Sequence, residues 1–133
     1  MRSDQALFLL KADQSIRNAI ARIGPAPTLR DVLTITRGIS IAPHLRSLMR
    51  SQPAYRALRY AAETRLKQLI EVQLEAARKL PFEACKTALA TLQRTEWEQL
   101  RGEYAGMFHF ALMSAREICQ VRARSGSDSS PAI

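Results

Sequence analysis

The chain has 133 residues and a mass of 14.9 kDa, with 47% apolar residues, 24% charged residues and a mean hydropathy of −0.17. That is enough for one ordinary domain with its own core, and 5 Gly, 6 Pro and 2 Cys exclude collagen, low-complexity disorder and a disulfide-rich mini-protein. Lys and Arg number 20 against 12 Asp and Glu, a net charge of +8, which points to an anionic partner: nucleic acid, an acidic protein surface or an anionic membrane.

The first helix is expected from about Asp4 to Ile23, where Leu9, Ala12, Ile16, Ala19, Ile20 and Ile23 recur at helical spacing. Gly24-Pro25-Ala26-Pro27 stops it, because the prolines cannot continue the hydrogen-bond ladder. Thr28 is a plausible N-cap for a short second helix ending near Gly38. The β-branched run Val32 to Ile41 also suits a hairpin across Gly38. A helix is preferred, since a lone hairpin has no sheet to join.

Pro43 and Pro53 mark two further helix starts. A short helix is expected over His44–Arg50 and a long one from Pro53 to about Leu80, with Tyr55, Leu58, Ala62, Leu66, Leu69, Gln73, Ala76 and Leu80 inward. Glu63, Lys67, Glu71, Glu75 and Lys79 fall on the other face. Pro81 begins a helix to about Gln93 that turns Phe82, Cys85, Ala88, Leu89 and Leu92 inward. Thr95, with Glu98 three residues on, reads as the capping box of a last helix. Its inward stripe is Trp97, Leu100, Tyr104, Phe108, Ala111, Ala115 and Ile118. The expected fold is therefore all-α, a multi-helix bundle with a long central and a long C-terminal helix. Residues 1–124 form a single helical domain and 125–133 a polar, disordered tail.

Cys85 and Cys119 lie in apolar helical runs and form no C-x-x-C, so a reducing, intracellular compartment is expected, with no disulfide and no metal site. No apolar run reaches a membrane span, and Ala6 to Leu10 is too short for a secretory signal. Arg2, Lys11, Arg17 and Arg22 suit an organellar transit helix, while Asp4 and Asp13 argue against one.

Two constellations stand out. No Asp or Glu lies between Asp31 and Glu63, a span that holds Arg37, Arg46, Arg50, Arg56 and Arg59, with Tyr55 and Tyr60 beside them. Clustered Arg with aromatics suits phosphate-rich or carboxylate-rich ligands, and these five are the candidate anion-docking residues. Gly102 and Gly106 are spaced G-x-x-x-G, with Phe110 and Met113 continuing the face. Glycine within a helix costs ~1 kcal/mol relative to Ala, so close packing is expected there, either inside the domain or at an interface with a partner or second copy. His109 lies beside the main stripe and reads as a partly buried structural residue.

The phosphate-loop, dinucleotide, nucleophile-elbow and zinc-protease motifs are absent, and no catalytic residue or cofactor is expected. Arg37 and His44 loosely resemble the Arg–His pair of the helical HEPN ribonucleases, but Gly38 and Pro43 interrupt the segment between them. Ala54-Tyr55-Arg56-Ala57-Leu58-Arg59 resembles the Leu-Tyr-Arg signature of the mitochondrial LYR accessory proteins. Those are small basic helical proteins that help build respiratory or iron–sulfur complexes, often with acyl carrier protein. The resemblance covers about six residues, has Ala54 for the leading Leu and lies deeper in the chain than the family's usual position, so no binding role is carried over. The expected function is a non-enzymatic adaptor or accessory subunit that docks on an acidic protein or ribonucleoprotein. Direct DNA or RNA binding through phosphates is the alternative, and a homo-oligomer is a further arrangement the last helix allows.

Overall fold

The computed structural model describes residues 3–39 and 52–128. It is an all-α multi-helix bundle, with no strand among the described residues. The elements are α1 (Ser3–Ile23), α2 (Leu29–Arg37), α3 (Pro53–Arg78), α4 (Phe82–Thr95), a short 3₁₀ helix (Trp97–Leu100) and α5 (Ala105–Asp128). The short helix expected over His44–Arg50 lies outside the described residues, as do residues 129–133 of the expected tail. The backbone stays helical to Asp128, through the first four residues of that expected tail.

The chain divides into two compact units, Met1–Leu66 and Lys67–Ile133, and α3 contributes to both. In the first unit α1 buries Ile16, Ala19 and Ile23, and α2 buries Leu29, Val32 and Leu33. Leu58, Ala62 and Leu66 supply the α3 share of that core. Thr28 caps α2: its hydroxyl accepts from the Asp31 N–H at 3.1 Å, satisfying one of the first-turn donors. Gly38 ends α2 with ordinary helical backbone, φ −71°. A Cβ there would stand 3.2 Å from the Thr34 carbonyl oxygen, a tight fit that the glycine avoids, and the helix over Leu29–Arg37 takes the place of the hairpin reading. Arg65 on α3 donates to the Ala26 carbonyl at 2.9 Å, pairing a backbone acceptor that no helix ladder reaches.

The second unit is built around Trp97, the chain's only tryptophan and fully buried. Ile70, Leu74 and Ala77 of α3, Cys85 and Leu89 of α4, and Leu100, Tyr104, Ala111 and Ile118 are buried with it. The expected α3 stripe is displaced by one position here. Leu69 and Gln73 are half-buried and Ala76 and Leu80 exposed. Leu69-Ile70 and Ala76-Ala77 offer apolar residues in both registers, so periodicity alone cannot choose between them. The Trp97 indole N–H donates to the Gln73 side-chain oxygen at 2.9 Å, and the Gln73 amide donates to Glu96 at 3.4 Å.

The last helix does not start at Thr95. That residue belongs to α4, and its hydroxyl donates back to the Thr91 carbonyl at 2.8 Å instead of capping a new helix. The 3₁₀ turn and residues 101–104 intervene before α5 begins. In a 3₁₀ helix residues three apart eclipse, which sets Trp97 and Leu100 on one side. At the far end of α3, Arg122 of α5 donates to the carbonyls of Arg78 and Leu80, the latter at 2.8 Å. It thus supplies a cationic donor to a helix C-terminus whose last carbonyls lack ladder partners.

Replacing Gln73 with Leu should leave the buried indole N–H without its acceptor. The expected loss is ~1–3 kcal/mol of stability, read by urea unfolding followed through Trp97 fluorescence. An unchanged midpoint would show that the indole finds a different acceptor.

Candidate functional site

The charge is divided unevenly between the two units. The first holds eleven Lys and Arg against four Asp and Glu, net +7, and the second nine against eight, net +1. The first unit also carries a groove of about 650 Å³ between α1 and α2. Its lining includes the cations Lys11 and Arg22 and the neutral polar side chains Ser15, Asn18 and Thr34, with Ile35 and Ile39, and no carboxylate. The sequence does not show this groove, because its walls come from two helices: Lys11, Ser15, Asn18 and Arg22 from α1, and Thr34 and Ile35 from α2. Lys11 and Arg22 read there only as one face of a transit-type helix.

Of the five candidate anion-docking arginines, Arg46 and Arg50 lie outside the described residues. Arg37 is exposed at the last turn of α2, and Arg56 is exposed on the first turns of α3. Arg59 differs from expectation. It is half-buried and forms an i,i+4 ion pair with Glu63 at 3.2 Å, so the acid that ends the acid-free stretch partners its last arginine. Tyr60, beside it, is 74% exposed. Tyr55 is half-buried. In the six-residue segment that resembles the LYR signature, Leu58 belongs to the core.

The glycine constellation is split by the break before α5. Gly102 sits in the turn over 101–104, and only Gly106, Phe110 and Met113 share a helix. Both glycines are exposed, and a Cβ built on either meets no atom within 4 Å. Close packing inside the domain is therefore not why they are glycines: at Gly102 the chain is leaving the helix, and at Gly106 the helix has just begun. Met113 is exposed, and Phe110 is half-buried beneath the Lys67 ammonium, 5.4 Å from the ring centre. His109 is exposed, not partly buried, although the expected stripe beside it keeps its register: Tyr104, Ala111 and Ile118 are buried and Phe108 and Ala115 half-buried.

A second groove, of about 870 Å³, runs between α3 and α5 within the second unit. Val72, Phe110, Ile118 and Val121 give it apolar surface, and Glu71, Glu75 and Glu117 stand among its walls. Its sequence signal was Val72 and Val121, apolar residues on otherwise polar helix faces.

Cys85 is buried and Cys119 half-buried, both as free thiols. No group of three or more His, Cys, Asp or Glu among the described residues is placed to hold a metal ion. No described helix is long and apolar enough to cross a membrane. Comparison with known protein families, curated proteins and solved structures finds no significant match for this chain.

Replacing Gly106 with Ala should stabilise the protein by ~0.4–1 kcal/mol, since the site has helical backbone and open space. A higher midpoint in thermal unfolding checks this. A lower one would mean that the position is covered in solution.

Proposed function

We propose that the chain is a non-enzymatic helical adaptor or accessory subunit whose first unit docks on an acidic protein or ribonucleoprotein surface. The observation that carries this reading is the concentration of charge: net +7 in Met1–Leu66 against net +1 in Lys67–Ile133. Charge needed only for solubility has no reason to gather in one half of a chain. Arg37, Arg46, Arg50, Arg56 and Arg59 provide the contacts, 16 of the 20 cations in the chain being Arg. Arg presents a planar fork suited to carboxylate and phosphate alike. The carboxylate-free groove with Lys11 and Arg22 adds cationic surface in the same unit. The side of α5 bearing Gly106 and Met113, with Gly102 just before it and Phe110 at its edge, offers a separate apolar contact.

One observation favours a second reading, direct binding of DNA or RNA. Tyr60 is 74% exposed next to Arg59, and an exposed ring beside arginines can stack on an unpaired base. Gln52, between Arg50 and Arg56, is the one amide side chain in the cluster, so such binding would rest mainly on phosphates and stacking.

Changing Arg37, Arg46, Arg50 and Arg56 to Gln should leave the helical signal in circular dichroism unchanged and weaken retention on heparin. The same change at Lys79, Arg94, Arg116 and Arg124 of the second unit should weaken it far less. Equal losses would reduce the effect to net charge and end the docking proposal. Titration with mixed-sequence single-stranded RNA separates the two readings. Phosphate contact by four arginines gives a slope of log affinity against log salt of roughly −3, whereas no saturable binding at physiological salt leaves the acidic-protein reading.

A further inference from the structure

The groove of the second unit has walls formed by residues 68–78 of α3 and 110–122 of α5. The two stretches run in the same direction, since Lys67 stands over Phe110 at one end and Arg122 reaches the carbonyls of Arg78 and Leu80 at the other. At ~1.5 Å per residue the walls are about 17 Å long, the length of three turns of an incoming helix. The apolar surface is open to solvent: Val72 is 67% and Val121 50% exposed. Glu75 is held by Arg78 at 2.8 Å, and Arg122 is committed to the α3 carbonyls. Glu71 on one wall and Glu117 on the other form no ion pair among the described residues. An apolar floor between unpaired carboxylates calls for an apolar helix face flanked by cations, and it repels phosphate.

The chain itself contains such a face. On α1, Leu7 is 53% and Leu10 69% exposed, three residues apart and hence neighbours on the helix surface. Lys11 lies next to them as the cation of this face, and Gln14, Asn18 and Arg17, the last paired with Asp13 at 2.7 Å, continue the exposed side. The stretch 7–18 spans three turns, matching the groove in length as well as in chemistry. We propose that the α3–α5 groove receives the α1 face of a second copy of this chain, with Leu7 and Leu10 on Val72, Phe110 and Val121 and Lys11 near the Glu71 and Glu117 carboxylates. One such contact joins two copies, and a reciprocal pair would cover the exposed leucines of both. This dimer uses none of the five candidate arginines and shares only Lys11 with the α1–α2 groove, and its test contains neither nucleic acid nor an acidic partner.

The test is sedimentation equilibrium of the full chain over a wide concentration range. The expected result is a reversible monomer–dimer equilibrium. Leu10→Asp, at an exposed position, and the pair Glu71→Lys with Glu117→Lys should each weaken the dimer roughly tenfold or more. Lys11→Glu should weaken it as well, and should recover affinity when combined with Glu71→Lys and Glu117→Lys. Circular dichroism and Trp97 fluorescence should stay at the parent values throughout, showing that the variants fold. A chain that remains monomeric at every concentration overturns the proposal. So does a dimer that Leu10→Asp leaves untouched, or one that the combined charge exchange fails to restore.

Discussion

The second unit depends on how one indole is accommodated. Trp97 is fully buried, and an indole N–H taken from water needs an acceptor. Gln73 provides it from the middle of α3, and its own amide is used in turn by Glu96, the residue just before Trp97. The pair therefore fixes the connection between α4 and α5 against α3 at one point. A continuous helix from Thr95 would also set Trp97, Leu100 and Tyr104 on one face, so the 3₁₀ turn and the turn over 101–104 change the path of the backbone while all three stay buried. No side-chain polar atom buried among the described residues is left without a hydrogen-bond partner, so this polar contact does not carry an uncompensated desolvation cost.

The break places Gly102 in a turn, apart from Gly106, Phe110 and Met113 on α5. On that helix His109 is exposed and Phe110 lies beneath Lys67 at the end of the α3–α5 groove. Arg122, near the end of the expected helical domain, supplies donors to the carbonyls of Arg78 and Leu80 at the C-terminus of α3. Its hydrogen bonds stand at one end of the groove and Lys67 at the other, and between them Glu71 and Glu117 form no ion pair among the described residues.

The first unit has a different chemistry. Its arginines are not all equivalent: Arg65 serves the fold by pairing the Ala26 carbonyl, Arg17 pairs with Asp13 at 2.7 Å, and Arg59 pairs with Glu63. Surface ion pairs of this kind contribute ~0–1 kcal/mol each, so they tune the surface more than they hold the unit together. The excess that remains after such pairing is the electrostatic feature any partner of this unit meets first, and screening limits its reach to ~8 Å at physiological ionic strength.

The sequence by itself determined the all-α class, the ends of α1 and α2, the Thr28 cap, the starts at Pro53 and Pro81 and most of the buried stripe of each helix. These follow from local chemistry: proline geometry, side-chain capping and the 3.6-residue period act within one or two turns. It also carried the acid-free run from Asp31 to Glu63, though not the fact that Glu63 turns back to Arg59. Tertiary structure alone decided the register of α3 beyond Leu66, where Leu69 and Ile70 compete on equal local terms. It alone decided the break after Thr95, which the distant acceptor on Gln73 accompanies. It also assembled both grooves, since each draws its walls from two helices. Local propensity ranks the conformations of a segment, but only the segment's neighbours in space decide which of its apolar faces leaves water.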